Sequence, residues 1–257
     1  MDSLLDFTDK VVIITGAASG FGELLSGELA SRGAKLVISD INEAGVNTVA
    51  EALTAKGYQA IAMSCDVSKE ADCKAQVDTA VKEFGGLDIS INNAGIAPAM
   101  MSLTETDEAT MDLQFQVNVK GVFFGMKYQI PAMKQDGVIL NVASMAGLCG
   151  APKVISYAAA KHAVIGMTKT AAVEYARKGI RANAICPYYT LTPMVTGEHS
   201  DGSKEVEEIE AFLGPGSPMK RLGRPQEIVN MMLLTLSPGN TYMTGQTIAV
   251  DGGVSAF

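Results

Sequence analysis

Val11-Val12-Ile13-Ile14-Thr15-Gly16-Ala17-Ala18-Ser19-Gly20-Phe21-Gly22 decides the fold. Its first four residues are β-branched and apolar without interruption, the pattern of a strand buried on both faces. Three glycines follow in the spacing Gly-x3-Gly-x-Gly, and Phe21, Leu24, Leu25 and Leu29 then recur near the helical period. A glycine turn between such a strand and such a helix lets a ligand approach the backbone. The helix N-terminus adds free N–H groups and the positive end of its dipole, which suits a pyrophosphate. The spacing is not Gly-x-Gly-x-x-Gly, so the position between strand and helix carries the reading rather than the glycines alone.

Further out, the same alternation repeats. Strands are predicted over Lys10–Thr15, Lys35–Asp40, Gln59–Cys65, Leu87–Asn92, Gly137–Ala143, Ile180–Ile185 and Gln246–Val250, with helical periodicity at Ser19–Arg32 and Lys69–Phe84. Strand–helix–strand repetition implies an α/β fold, a Rossmann-type doubly wound parallel sheet of about seven strands with helices on both faces. No repeat or linker divides the sequence, so one domain is expected over 1–257. The segment 188–223 breaks the rhythm with five glycines, three prolines and a charged run from Ser203 to Leu213. A short helix and a substrate lid are expected there; a passive surface loop is the alternative.

Composition narrows the class. Among 257 residues there are 20 Lys+Arg and 28 Asp+Glu, a net charge of −8, and 47% are hydrophobic. That is too apolar for a disordered chain. The acidic balance opposes nucleic acid and anionic membrane surfaces as partners. The start, Met1-Asp2-Ser3-Leu4-Leu5-Asp6, does not read as a signal peptide, and no apolar run of spanning length occurs. Cys65, Cys73, Cys149 and Cys186 form no CxxC pair, and His162 and His199 are the only histidines, so no metal site is expected. Reduced thiols in a cytoplasmic protein are the expectation.

The chemistry-bearing residues fall at strand ends. Asp40 closes the second strand, and a carboxylate there can accept both hydroxyls of an adenosine ribose while repelling a 2′-phosphate. Ala17, Ala18, Ile41 and Asn42 supply no cation for such a phosphate, so NAD is favoured over NADP; read alone, Asp40 is equally a turn residue. Asp66-Val67 and Asn92-Asn93-Ala94-Gly95 follow the third and fourth strands, and each also suits a plain turn. Ser144 follows the fifth strand. Tyr157 and Lys161 stand at i and i+4 on one helix face, where an ammonium would draw a phenol towards neutrality.

In combination, Thr-Gly-x3-Gly-x-Gly, Asn-Asn-Ala-Gly, Ser144 thirteen residues before Tyr-x3-Lys, and Gly245-Gln-Thr-Ile-Ala-Val-Asp-Gly-Gly resemble the short-chain dehydrogenase/reductase family in its single-domain branch. The resemblance covers essentially the whole chain. It implies Tyr157 as general acid–base, Lys161 on the nicotinamide ribose and lowering the tyrosine pKa, and Ser144 polarising the substrate oxygen. Asn118 would hold a proton-relay water. Cofactor contacts are implied for Gly16, Ser19, Gly20, Phe21, Gly22, Asp40, Ile41, Asp66, Val67, Asn93, Ala94, Gly95, Pro187, Thr190 and Thr192, beside Tyr157 and Lys161. A homotetramer built on the helices carrying Asn118 and Tyr157 is also implied.

One departure stands out. The family usually has Pro-Gly after the sixth strand; here Pro187 is followed by Tyr188, and Thr190 replaces an aliphatic residue. Tyr188 is expected to narrow the substrate pocket together with Met145, Tyr189 and Met194. Apolar residues Ala97, Met100, Met101, Leu148, Cys149, Val154, Phe212 and Leu213 are expected nearby, with no arginine. That favours a neutral, fairly hydrophobic secondary alcohol or ketone as the small-molecule partner. Two other readings compete: a 3-oxoacyl-carrier-protein reductase or other NADP(H) carbonyl reductase of the family, and a catalytically idle NAD-binding sensor or scaffold.

Overall fold

The computed structural model describes residues 3–197 and 202–256. Met1 and Asp2, residues 198–201 of the expected lid with His199 among them, and Phe257 lie outside the described residues. The strands are β1 (Val11–Thr15), β2 (Lys35–Asp40), β3 (Ala60–Ser64), β4 (Leu87–Asn92), β5 (Met133–Val142), β6 (Arg181–Pro187) and β7 (Thr247–Val250). Among the described residues they form one parallel sheet of seven strands in the order β3-β2-β1-β4-β5-β6-β7.

Between them run α1 (Gly20–Ser31), α2 (Glu43–Thr54), α3 (Glu70–Phe84), α4 (Glu108–Gln114), α5 (Gly121–Ala132) and α6 (Ile155–Tyr175). Then come α7 (Pro193–Thr196), α8 (Lys204–Leu213) and α9 (Pro225–Leu236). Their ends follow local chemistry. Asn42 accepts from Gly45 N–H to start α2, Ser203 accepts from Val206 N–H to start α8, and Gly85 stops α3 in the left-handed conformation.

Alternate residues of β1 feed opposite layers. Val12 and Ile14 pack with Leu25 and Leu29 of α1 and Val229 and Met232 of α9, whereas Val11 and Ile13 pack with Val77 and Ala80 of α3. On the second face α5 and α6 cover β5 and β6 through Val122, Met126, Val164 and Ala172. Each fully buried aliphatic chain contributes about 2 kcal/mol. This is the both-faces burial that the unbroken apolar run of β1 requires.

Predicted strand bounds agree at β2 and β4 and shift by a residue or two at β1, β3, β6 and β7. The fifth strand differs most, starting at Met133 rather than Gly137. Its pairing to β4 jumps from Leu87↔Met133 to Ile89↔Val138, and residues 134–136 between are exposed and polar, so no apolar pattern announces them. The short helix expected within Ser203–Leu213 is α8. No helix among the described residues is long and apolar enough to cross a membrane.

The order of strands creates one reversal. From β1 the chain steps outward through β2 and β3, then returns to place β4 on the other side of β1. The C-terminal ends of β1 and β4 therefore open a crevice, the place where open α/β sheets take ligands.

Candidate active site

Backbone contacts build the crevice. Asn93 Nδ2 donates to the carbonyls of Thr15 and Gly16 (both 2.9 Å), and Thr15 Oγ1 accepts from Asn93 and Ala94 N–H (both 3.0 Å). Asn93 thus braces the glycine turn against β4. Gly16 has φ +66°, and a Cβ there would lie 2.8 Å from Ala94 Cα; a Cβ on Gly22 would lie 2.1 Å from the Gly16 carbonyl oxygen. Only glycine fits at either position. Ser19 caps α1 with no side-chain hydrogen bond, so the first N–H groups of α1 remain for a ligand.

Asp40 sits at the crevice edge. Its Oδ2 accepts from Ala18 N–H (3.0 Å) and its Oδ1 from Asn42 N–H (2.9 Å), which fixes the carboxylate beside the glycine turn. Gly16, Ser19, Gly20, Phe21, Asp40, Asn93, Ala94 and Gly95 line a cavity of about 480 Å³. The group that fits is a dinucleotide: N–H donors for its pyrophosphate, a carboxylate for a ribose diol, and glycines where any Cβ would fill the cradle.

Four residues expected as cofactor contacts stand outside that wall. Gly22 lies beneath the turn. Ile41 points outward and is 72% exposed. Asp66 turns its carboxylate onto Ser68, whose hydroxyl and N–H hold it below the usual carboxylate range. Val67 is buried with Cys65 and Cys73 and touches the space above Gly121. The sequence pattern could not separate residues that line the cleft from those that shape the turn behind it.

Ser144, Tyr157, Lys161, Pro187, Thr190 and Thr192 line the other half of the same cavity. Ser144 ends the β5 turn, where its Oγ accepts from Ala146 N–H (3.1 Å) and reaches the Pro187 carbonyl (3.5 Å). Lys161 Nζ donates to the Val142 carbonyl (2.9 Å) and lies 5.4 Å from the Tyr157 ring centroid. The Tyr157 phenol does not match the expected lowering. Burial pushes it up to about 12, while the hydrogen bond to Ser144 pulls the other way. Burial also pushes Lys161 down to about 8. Desolvation is the largest influence on both groups.

Asn118 is buried and does not reach the cavity wall. It lies in a π-helical turn, Phe115–Lys120, between α4 and α5. Its Oδ1 accepts from Ile96 N–H (3.0 Å), and its Nδ2 donates to the Ile96 carbonyl (2.9 Å) and to Gln114 Oε1 (2.7 Å). The side chain therefore clamps the loop after Gly95, with both amide hydrogens used and its Oδ1 lying beside Gly95 at the back of the cleft. Cys186 was not singled out by sequence; it is buried near Lys161, and burial pushes its thiol up to about 11, so it adds no charge to the site in the neutral range.

The substrate end is apolar. Met145, Tyr188, Tyr189 and Met194 line it as expected, with Ala97, Met100, Val154 and Leu213. Met101 and Cys149 do not line it, Leu148 packs into the core beside α6, and Phe212 is 78% exposed. Tyr188 keeps an ordinary negative φ, so no glycine is needed here, and its hydroxyl abuts Gly216. Its ring also walls a second cavity of about 120 Å³. Among the described residues no cluster of His, Cys, Asp and Glu could hold a metal ion, and all four cysteines are free.

The sequence profile of the family described as enoyl-(acyl carrier protein) reductase matches residues 16–255. Cyclohexanol dehydrogenase of Acinetobacter sp. (strain SE19) is 38% identical over 252 residues, 97% of this chain and 96% of that protein. The crystal structure of levodione reductase superposes with TM-score 0.90 at 36% identity, covering 97% of this chain and 99% of that one. That of 3-ketoacyl-(acyl-carrier-protein) reductase from Brucella melitensis complexed with NADH gives 0.87 at 35%, covering 97% and 99%. The likeness runs over nearly the whole sequence and the whole fold that carries Ser144, Tyr157 and Lys161 to one crevice, and the chain belongs to the short-chain dehydrogenase/reductase family.

Proposed function

We propose that the protein is an NAD(H)-dependent oxidoreductase that interconverts a neutral, fairly hydrophobic secondary alcohol, cyclic in form, and its ketone. The observation that carries this is the meeting of Ser144, Tyr157 and Lys161 in a cleft whose remaining substrate wall is apolar and whose other end is edged by Asp40. When bound, the nicotinamide accepts or supplies the hydride. In ketone reduction the Tyr157 hydroxyl gives its proton to the carbonyl oxygen, and in alcohol oxidation the phenolate takes the hydroxyl proton. Ser144 positions that oxygen. Lys161, the one cationic side chain among the cavity-lining residues, holds the nicotinamide ribose and favours the phenolate.

NAD rather than NADP is favoured by Asp40: a 2′-phosphate would lie against a carboxylate, and the one cation in the lining, Lys161, stands in the other half of the cavity beside Tyr157. Cyclohexanol, named for one relative, fits the apolar wall. The competing reading is a carrier-protein reductase, which the family description and the Brucella melitensis structure suggest. An acidic carrier would meet like charge at α8, which carries Glu205, Glu207, Glu208 and Glu210 and ends at Leu213 in the cavity wall.

Absorbance at 340 nm with NAD or NADP and a panel of aliphatic, cyclic and aromatic secondary alcohols tests the reading. NAD-dependent turnover of cyclic alcohols is expected. Preference for NADP would overturn the role of Asp40, and turnover of acyl thioesters alone would favour the competing reading. Tyr188, between the cleft and Gly216, supports reading the described parts of the expected lid, 188–197 and 202–223, as anchored at the cleft. Tyr188→Gly is expected to broaden the range of ketone sizes accepted, read as kcat/KM across a graded series; an unchanged profile would remove that role. A cytoplasmic setting and a homotetramer belong to the same reading. The tetramer draws support from Leu113, Phe123 and Val173, exposed apolar side chains on α4, α5 and α6, and elution as a monomer would count against it.

A further inference from the structure

The cleft contains a phenol, besides Tyr157 and Tyr188, to which this chemistry assigns no part. Tyr189 lies two residues past the end of β6 and lines the cavity. Its backbone is fixed on both sides: its carbonyl accepts from Gly223 N–H (3.0 Å), and Leu191 N–H donates to the Gly223 carbonyl (3.0 Å). Its ring meets Tyr188 edge-on, with centroids 4.8 Å apart and planes at 69°. A ring held by its backbone and by a neighbouring aromatic presents its hydroxyl at a set position.

No described residue hydrogen-bonds that hydroxyl, and it is not fully buried; the side chain borders this cavity and the smaller one of about 120 Å³. It is near enough to Tyr157 that its charge would act on that phenol. Around it the wall is Met100, Met145, Val154, Met194 and Leu213. A hydrocarbon ring filling such a cavity expels the water on the hydroxyl and puts nothing in its place, which costs binding energy. A substrate oxygen within reach removes that cost, and a site built to bond an oxygen discriminates against analogues lacking it.

We infer that Tyr189 is a specificity-determining residue that hydrogen-bonds a second oxygen of the substrate, so that ring diols or hydroxyketones are preferred over simple cyclic alcohols. This rests on the reading of the cleft as an alcohol/ketone site. The test compares wild type and Tyr189→Phe on cyclohexanol and on cyclohexane-1,2-, 1,3- and 1,4-diol with NAD. For at least one diol, kcat/KM is expected to fall, through KM, by about tenfold or more beyond any fall on cyclohexanol. Equal loss on cyclohexanol and every diol, or no loss on any, overturns the inference.

Calorimetric titration of the enzyme–NADH complex with the same diols reads Tyr189 without turnover. Diol affinity about tenfold weaker in Tyr189→Phe supports the assignment even if no alcohol is oxidised, an outcome that would sink the alcohol-dehydrogenase reading alone. Unchanged affinity, or no diol binding by wild type, overturns it.

Discussion

Tyr157→Phe is expected to lower kcat/KM about a thousandfold in both directions while leaving NADH affinity within about threefold. The substitution removes one oxygen and keeps the ring, so the helix face and the cavity wall stay filled. What is lost is the proton that must move as the hydride moves. Because burial raises the Tyr157 phenol to about 12, that proton is in place throughout the neutral range and ketone reduction draws on it directly. Alcohol oxidation needs the phenolate, so wild-type oxidation should rise with pH through the alkaline range. The residual activity of Tyr157→Phe should lack that rise. Steady-state rates in both directions from pH 6 to 10, with a fluorescence titration of NADH, make the comparison. A loss below tenfold would remove Tyr157 from the chemistry, and a matching loss of NADH binding would make its role structural.

The fold was legible because burial leaves a periodic mark. Four consecutive apolar β-branched residues in β1 are all buried between two helical layers, and after them no side chain fits at Gly16 or Gly22. The crevice residues were legible for the same reason: Gly16, Asp40, Asn93 and Ser144 stand at strand ends, where apolar runs stop. What stayed hidden lacks a local pattern. The first residues of β5 are exposed and polar, and their pairing depends on Leu87 and Lys134 meeting Met133 and Asp88 across the sheet. Nothing in Phe115–Lys120 announces a π turn, and only the fold reveals that Asn118 spends its amide on Ile96 and Gln114. The depth of burial at Tyr157 was hidden for a related reason. Spacing fixes which residues share a helix face, but the desolvation that raises this phenol is a property of the assembled core.

The same burial makes Lys161 a liability to the unliganded fold. Lys161→Met is expected to abolish useful turnover yet raise the thermal midpoint of the cofactor-free protein at pH 7. Lys161 is 4% exposed, and among the described residues its ammonium hydrogen-bonds only the Val142 carbonyl, with no carboxylate paired to it. Lowering its pKa from 10.5 to about 8 corresponds to about 3 kcal/mol withheld from folding. Losing the bond to Val142 returns about 1 kcal/mol of that. A net gain of about 2 kcal/mol moves the midpoint by about 5 °C in a chain of this size. The pH dependence distinguishes this from better packing alone. The folded pKa lies below the unfolded one, so the penalty is complete below pH 8 and disappears as pH climbs towards 10.5, where both states carry a neutral amine. Tyr157 acts in the opposite sense only above pH 10, since its folded value of about 12 exceeds its unfolded one. Thermal scans between pH 7 and 9.5 therefore isolate Lys161. The advantage of Lys161→Met should shrink steadily across that range, and a variant no more stable at pH 7, or one whose advantage ignores pH, would show that the buried ammonium is not what the fold is working against.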